Sequence, residues 1–290
     1  YKICKILLVI LAIFLCVAFY ELLGICVAYK KQPEVSNTTK KETKNGSWNE
    51  CSENTERAVI IEKNPEALLQ RVRLIKNAKK EIILSTFAFQ SDESGKLILG
   101  ALHDAADRGV HIRLLVDGME SWIDMEGNPY FYGLSSHENV EIKLYNKANP
   151  LKPWKMMGRM HDKYLIADGK RYILGGRNTY NYFLGDFPGH KNYDRDVLVV
   201  CDEPEKENSV NQLLEYFETI WEQEDSGYFH DNKKLANRKS VKNAVLELQN
   251  GYQKYFEENK ERICDTDYTD ETFETEKIAL VSNPIHTGPK

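Results

Sequence analysis

The sequence predicts an α/β fold, a mixed β-sheet flanked by helices, behind an N-terminal transmembrane helix. Three observations favour it. Strand-like and helix-like segments alternate up to residue 118, a further strand follows without an intervening helix, and the first 29 residues are almost continuously apolar. With 42% hydrophobic and 29% charged residues, the chain has the composition of a globular protein, which excludes wholesale disorder.

The N-terminal anchor is predicted from an apolar run at 6–29 that only Glu21 interrupts. Its length is close to the roughly 20 residues that cross a bilayer. The competing interpretation is a cleaved signal peptide, but no small-residue cleavage site follows the run. We expect a single-pass anchor at 1–29 and a polar linker at 30–56. The side of the membrane on which the rest of the chain lies stays open.

Hydrophobic period and turn residues predict the elements of the remaining chain. Asn64 and Pro65 suit the cap and first position of a helix, and Gly109 suits the residue just past the end of another. Buried or alternating apolar runs predict the strands. In chain order we expect a strand at 57–61, a helix at 64–78, a strand at 81–89, a helix at 95–108, strands at 110–118, 140–145, 171–174 and 197–200, helices at 212–222 and 235–260, and an acidic loop at 265–275.

Charge and cysteine content narrow the classes of partner and site. The net charge of −5 disfavours a protein that coats nucleic acid, because such proteins are normally basic. Three of the six cysteines lie in or beside the apolar run, and Cys51, Cys201 and Cys264 form no C-x-x-C pair. No acidic cluster has the spacing of a Mg²⁺ or Zn²⁺ site. We therefore expect free thiols, no metal and no other cofactor.

One motif has clear chemical meaning: H-x-K-x-x-x-x-D, formed by His161, Lys163 and Asp168. Residues two apart on an extended strand point to the same face, so the imidazole and the ammonium should share a cleft at the C-terminal side of the sheet. Asp168 and the following glycine predict a hairpin turn. The sequence G-G-R-N, residues 175–178, comes at the end of the return strand and brings Asn178 toward the same end of the hairpin.

These side chains suit phosphoryl chemistry. His161 is a nitrogen nucleophile or proton carrier near neutral pH, and Lys163 is a positive charge that suits a phosphate oxygen. Asn178 can donate a neutral hydrogen bond to the same phosphate, and the two glycines before it let the backbone approach closely. The set predicts stabilisation of a phosphate without a metal. Asp168 is equally compatible with a plain turn residue.

On these two motifs the sequence resembles the phospholipase D superfamily, whose signature is H-x-K-x4-D followed by G-[GS]-x-N. The resemblance covers roughly 58–221. Within the superfamily, R-M-H-D-K at 159–163, G-G-R-N at 175–178 and the segment 193–199 are similar to bacterial cardiolipin synthases of the C type. The resemblance implies a phosphohistidine (phosphatidyl-enzyme) intermediate, formed when one histidine attacks the phosphodiester while a second protonates the leaving alcohol. Carried over, His161 is one of that pair, Lys163 and Asn178 hold the phosphate, and Asp168 completes the catalytic motif as an orienting or structural carboxylate.

A carboxylate should also hold the second ring nitrogen of the nucleophilic histidine. Asp194, just before the strand at 197–200, is the candidate for this orienting role, and Asp196 is the alternative. A plain strand-edge charge is equally compatible with each.

The sequence departs from the family pattern because the family's active site is built from two motifs. Of the seven histidines here, only His161 is followed by Lys two residues later. The first residue, Tyr1, and a strand-like pattern at 277–284 lead us to expect a piece of a longer protein. We expect a catalytic repeat at 57–275 and the start of a truncated second repeat at 276–290. That repeat in cis, or alternatively a homodimer partner, would complete the site, and the piece alone should be nearly inactive.

The superfamily contains lipid enzymes and nucleases, so the motif does not choose the substrate. A phospholipid substrate and a membrane partner are favoured by the anchor, the negative charge, and the mixture of Trp, Met, Lys and Arg at 148–159. Residues 118–132 are a second candidate wall of the pocket. We expect a membrane-associated phosphatidyltransferase or phosphodiesterase and no specific nucleic-acid partner. A nuclease, or an inactive half serving as an assembly module, stays open.

Overall fold

The computed structural model describes residues 2–30, 56–201, 208–230 and 233–282, together with residues 37, 40, 41, 44 and 203. Most of the predicted linker and the end of the predicted second-repeat opening lie outside these ranges.

The described residues form one nine-stranded sheet with helices on both faces, as predicted. The helices are α1 (Lys2–Lys30), α2 (Asn64–Asn77), α3 (Glu93–Asp107), α4 (Gly118–Asp124), α5 (Pro129–Ser135), α6 (Ser209–Trp221), α7 (Lys239–Glu258) and α8 (Lys260–Cys264). The strands are β1 (Glu56–Ile61), β2 (Glu81–Thr86), β3 (His111–Asp117), β4 (Val140–Tyr145), β5 (Tyr164–Ala167), β6 (Arg171–Gly175), β7 (Asp196–Cys201), β8 (Ser226–Tyr228) and β9 (Phe273–Thr275).

The sheet has the strand order β8-β4-β3-β2-β5-β6-β7-β1-β9. β2, β3 and β4 run parallel, joined by helical crossovers, and every other neighbouring pair in it is antiparallel. The parallel strands β2, β3 and β4 meet the antiparallel strands that begin with β5 where β2 pairs with β5. This junction positions the motif, because the segment leading into β5 starts beside the C-terminal end of β2.

The two faces of the sheet have separate cores, and side chains alternate between them. Ile82 and Leu84 of β2 join the larger core under α2, α3, α5 and α7, whereas Ile83 joins the smaller core under α6. The predicted polar helix at 235–260 is amphipathic as α7, with Val241, Ala244, Leu248, Tyr252 and Phe256 buried. Gly100 of α3 allows the close approach, because a Cβ there would lie 2.7 Å from the Leu248 carbonyl oxygen.

Several elements differ from the prediction. α4 and α5 follow β3 in a segment for which no helix was predicted, and β9 lies inside the predicted acidic loop. β9 forms because the edge of β1 accepts it, and the Thr275 hydroxyl donates to the Glu56 carbonyl at 2.6 Å. The residues at 277–282 form no strand, although Ile278 and Leu280 pack against the smaller core.

We expected the side chain of Asn64 to cap α2, but it makes no capping hydrogen bond. Its Nδ2 donates to the Asn192 carbonyl at 2.9 Å, and its Oδ1 accepts from Arg177 Nε at 3.1 Å. Both partners lie more than 100 residues away in sequence, so a local cap signal was overridden by long-range contacts. The predicted Gly109 terminator is confirmed, with a positive φ of 88° just past α3.

α1 is long and apolar enough to cross a bilayer, by length and composition. Most of its side chains are exposed; Gly24 and Ala28 are buried. Within the described part of the chain, the cysteines at 4, 16, 26 and 264 are free thiols, and Cys201 is buried.

Candidate active site

The segment that carries the motif is fastened to the C-terminal end of β3. The Asp117 carboxylate accepts the backbone N–H of Met160 at 3.0 Å and pairs with the Arg159 guanidinium at 2.8 Å. Asp117 also caps α4 by accepting the N–H of Met119 at 3.1 Å. One buried carboxylate therefore fixes the residues just before His161 and the start of α4.

His161 and Lys163 line the same cleft, of about 250 Å³, together with the end of β6, residues of α6 and residues 280–282. Both residues precede β5 rather than lying on it. Lys163 is buried, and its Nζ donates to the His161 carbonyl oxygen at 2.7 Å. The Phe87 ring contacts both side chains, with its centroid 4.7 Å from that of His161 and 5.3 Å from Lys163 Nζ.

The electrostatics of the cleft favour a neutral imidazole next to a cation. Desolvation and the adjacent Lys163 ammonium lower the pKa of His161 below its usual 6.5. Burial lowers the pKa of Lys163 to about 8, against the opposing charges of Asp162 and Asp194. The His161 ring nitrogens have no hydrogen-bond partner among the described residues. At neutral pH a nitrogen lone pair is thus free and a positive charge lies beside it.

Asn178 reaches the site through the loop after β2. Its Oδ1 accepts the N–H of Ala88 at 3.2 Å, the residue next to Phe87. In the described part of the chain Nδ2 has no partner, so this buried amide keeps a donor for a ligand. Asn178 is not among the residues that line the 250 Å³ cleft, but it is hydrogen-bonded to the residue after Phe87, whose ring contacts Lys163.

The arginine of G-G-R-N is structural. Arg177 is buried, donates to the Ile61 and Glu62 carbonyls at 3.0 and 2.7 Å, and pairs with Asp196 at 3.2 Å. Asp196 also pairs with Arg71 at 2.9 Å. Because both of its cationic partners are buried, the Asp196 carboxylate serves this network, which does not fit the alternative role of orienting His161.

Asp194 lies beside the glycines of the second motif. A Cβ on Gly176 would lie 2.1 Å from Asp194 Oδ2, so only glycine fits there without moving that carboxylate. Asp194 accepts the N–H of Arg195 at 2.7 Å and acts through its charge on Lys163. Among the described residues it makes no hydrogen bond to His161, so its orienting role stays a prediction.

Asp168 lies at the opposite end of the sheet from His161. With Gly169 it forms the predicted hairpin turn, with φ values of 54° and 62°. Its carboxylate accepts the backbone N–H groups of Lys79, Lys80 and Glu81 at 2.7–3.1 Å. Of the two roles considered for it, this arrangement fits the structural one, because the aspartate fastens the hairpin to the start of β2.

Sequence reasoning missed the groups that hold the motif in place. Phe87 directly follows β2, and Asp117 is the last residue of β3. Ligand-binding residues of parallel sheets gather at the carboxyl ends of strands, so this position in the sequence could have identified both residues. Asp162 lines the cleft and accepts from the Tyr216 hydroxyl of α6 at 2.8 Å, while burial raises its pKa. No cluster of three or more His, Cys, Asp or Glu in the described residues is arranged to hold a metal.

Comparison with known proteins places the chain in a family. Residues 71–221 match the family described as cardiolipin synthase, PLD-like domain. An uncharacterized protein of Helicobacter pylori strain J99 is 30% identical over 212 residues, 68% of this chain and 39% of that protein. Cardiolipin synthase C of Escherichia coli K12 is 29% identical over 171 residues, 54% of this chain and 34% of that protein. The chain thus spans well under half of the length of each of these relatives.

The fold has a counterpart among solved structures. Phosphatidylserine synthase of Haemophilus influenzae aligns with a TM-score of 0.50 at 17% identity, covering 76% of this chain and 48% of that one. At this identity the likeness concerns the fold alone. Taken with the family match and the placement of His161 and Lys163, it agrees with the resemblance drawn from the motifs: the chain belongs to the phospholipase D superfamily, in the family of cardiolipin synthase PLD-like domains.

Proposed function

We propose that this chain supplies half of a membrane-bound active site that transfers or hydrolyses phosphatidyl groups through a phosphohistidine on His161. The observation that carries the proposal is the unbonded imidazole of His161 beside the buried ammonium of Lys163. A neutral imidazole is the form that attacks phosphorus, and the lowered pKa keeps it neutral at physiological pH.

In the first step a ring nitrogen of His161 bonds to phosphorus while the bond from phosphorus to the leaving alkoxide oxygen breaks. Negative charge on the phosphoryl oxygens would be stabilised by Lys163, and by the free Nδ2 of Asn178 if the substrate draws that amide into the site. In the second step the oxygen of a lipid hydroxyl or water bonds to phosphorus, the bond from phosphorus to the His161 nitrogen breaks, and the hydroxyl proton passes to the group that protonated the leaving alkoxide in the first step. The acceptor decides between transfer and hydrolysis.

The leaving alkoxide needs a proton from an acid on the far side of phosphorus, because in-line displacement separates the nucleophile from the leaving group. No other histidine of the chain has the same motif. We therefore propose that the acid comes from a second phospholipase D-like repeat in cis or, alternatively, from a second copy of the chain.

Two features support a lipid substrate. The apolar helix α1 would hold the domain at a bilayer, and the matched relatives with assigned names include cardiolipin synthases. Phosphatidylglycerol, which carries both a phosphodiester and free hydroxyls, is the substrate we would test first.

The test compares the complete natural protein with its His161→Ala variant in vesicles of labelled phosphatidylglycerol, with His111→Ala as the matched control. His111 begins β3, at the far end of the sheet, and pairs with Glu141. We expect lipid turnover and an acid-labile phosphorylated intermediate in the parent and the control, and neither in His161→Ala. Wild-type turnover by His161→Ala, or cleavage of DNA but not lipid by the parent, would contradict the proposal.

A further inference from the structure

The C-terminal part of α1 is packed on the soluble domain along one face. Tyr20 donates from its hydroxyl to the Leu151 carbonyl at 2.8 Å. At Gly24 a Cβ would lie 2.3 Å from Pro153 Cγ, and Ala28 is fully buried. Positions 20, 24 and 28 share one helix face. The anchor and the loop at 147–158 are therefore in direct contact.

The loop at 147–158, which we call the platform, is held in place by hydrogen bonds and an ion pair. Asn146 donates from Nδ2 to the carbonyls of Lys155 and Gly158 at 2.6 and 2.7 Å, and Lys155 pairs with Asp225 at 3.0 Å. A short 3₁₀ helix at Pro153–Lys155 lies between these ties. The hydrogen bonds of Asn146 and the ion pair of Lys155 therefore hold the backbone of the loop in one conformation, which positions its exposed side chains.

Apolar side chains project from this platform and from α4 next to it. Leu151 is 77% exposed and Met157 is 49% exposed, whereas Trp122 and Ile123 of α4 are each 65% exposed. The two elements are joined, because Arg159, two residues after Met157, pairs with Glu120 of α4 at 2.8 Å. Ile123 follows Glu120 by one helical turn and so lies on the side of α4 that faces this junction.

The contact with α1 fixes the depth of the platform. Irregular backbone and lysine side chains do not enter the hydrocarbon layer, so the loop lies at the headgroup level. Tyr20, which contacts the loop, then marks the membrane surface, where tyrosine is favoured. From Lys2 to Tyr20 the helix rises about 27 Å, close to the thickness of a hydrocarbon core of about 30 Å, and Lys2 and Lys5 can extend to the opposite headgroups.

We propose that the exposed apolar side chains of the 147–158 loop and α4, namely Leu151, Met157, Trp122 and Ile123, insert into the phospholipid leaflet around α1 and hold the His161 cleft at its surface. The proposal rests on the membrane placement of α1 proposed above. It moves the C-terminal limit of the membrane span from Tyr29 to about Tyr20 and leaves Glu21 at the interface. The exposed Lys152 on the same loop matches the anionic phosphate layer.

The docked arrangement also explains how a lipid would reach the cleft. Arg159 lies between the platform and the motif, two residues from Met157 on one side and from His161 on the other, and its guanidinium stacks over Phe87 at 4.9 Å. Met157 is four residues before His161. A phospholipid whose acyl chains stay in the leaflet beside Met157 would therefore have its phosphate close to the nucleophile. The enzyme would then draw substrate from the same leaflet into which it is inserted.

Fluorescence of labelled cysteines tests the insertion. In the complete protein, with its native cysteines replaced by alanine, single cysteines at Ile123, Leu151 or Leu246 are labelled with an environment-sensitive dye and reconstituted into phosphatidylglycerol vesicles. Leu246 is the control, because it is 57% exposed on α7. We expect brominated acyl chains to quench the labels at 123 and 151 and not the label at 246. Equal quenching at all three positions, or at none, would overturn the proposal.

Turnover separates this proposal from the proposed function. In an Ile123→Ser/Leu151→Ser variant we expect turnover of vesicle phosphatidylglycerol, relative to turnover of a soluble short-chain analogue, to fall about tenfold. Leu246→Ser should leave the ratio unchanged. An unchanged ratio in the double variant would overturn the docking surface. Quenched labels in a protein that turns over neither substrate would retain the docking surface and reject the proposed chemistry.

Discussion

Lys163 Nζ donates to the carbonyl oxygen of His161 at 2.7 Å, so the cation expected to hold the phosphate is bonded to the backbone of the expected nucleophile. The bond fixes the spacing of the two groups before any ligand arrives. It also holds a charged side chain in a buried position that lowers its pKa to about 8. Sites that are pre-organised in this way are commonly less stable than the fold permits.

Replacement of Lys163 by methionine should therefore stabilise the domain while abolishing turnover. The apolar side chain fills a similar volume without the desolvation of an ammonium. We expect the melting temperature to rise by about 3 °C or more at pH 7, measured by thermal unfolding in detergent. The gain should shrink between pH 8 and about 10.5, because over that range the folded wild type has lost the proton that the unfolded chain retains. A lower melting temperature at pH 7 would contradict this account.

Asp168 should behave as a stability residue. Replacement by asparagine weakens hydrogen bonds to three backbone amides, and charged acceptors of this kind contribute about 1.5–3 kcal/mol each when paired. We expect the free energy of unfolding to fall by about 1–3 kcal/mol, with turnover per folded molecule within about twofold of wild type. Denaturant unfolding and active-site titration measure the two quantities. A large loss of turnover at unchanged stability would return Asp168 to the catalytic set.

The roles of Asp168 and Asp117 show where sequence reasoning stopped. The turn at Asp168 follows from two adjacent residues, and it was predicted. Its three amide partners lie 87–89 residues earlier in the chain, and no local pattern reports them. Asp117 likewise holds the N–H of Met160, 43 residues later. The pairing of the motif side chains could be predicted because it depends on residues two apart, whereas the groups that position them depend on the strand order.

The same distinction applies to the fold. Alternation of strands and helices up to β3 was readable from hydrophobic period, and so was the mixed sheet. α4 is short, and its cap, Asp117, also serves the motif segment. β9 has three residues and depends on the edge of β1 for its pairing. Elements that owe their existence to one tertiary contact carry no periodic signal of their own.

Asp196 and Asp194 should separate in mutagenesis, although they are two residues apart. Asp196→Asn leaves the Arg71 and Arg177 guanidiniums buried without a counter-charge, and breaking such a network costs about 3–5 kcal/mol. Asp194 is half-buried, so Asp194→Asn should change the free energy of unfolding by about 1 kcal/mol or less. Denaturant midpoints of the two variants check this. Similar midpoints for both would show that the buried network contributes little.

The pH profile of turnover tests the electrostatics of the cleft. Attack requires neutral His161, whose pKa is lowered below 6.5, so the acid limb of kcat/KM should have its midpoint below pH 6.5. Phosphate binding requires protonated Lys163, and the leaving alkoxide requires the protonated acid, so kcat/KM should fall above about pH 8 at the latest, far below the usual lysine value of 10.5. The negative charge of Asp194 supports the protonated form of Lys163, and Asp194→Asn should move the alkaline limb to lower pH.

Initial rates on a soluble short-chain phosphatidylglycerol between pH 5 and 10 give the profile, since free-enzyme groups govern kcat/KM. A plateau that extends to pH 10, or an alkaline limb that Asp194→Asn leaves in place, would show that Lys163 does not titrate in the active enzyme.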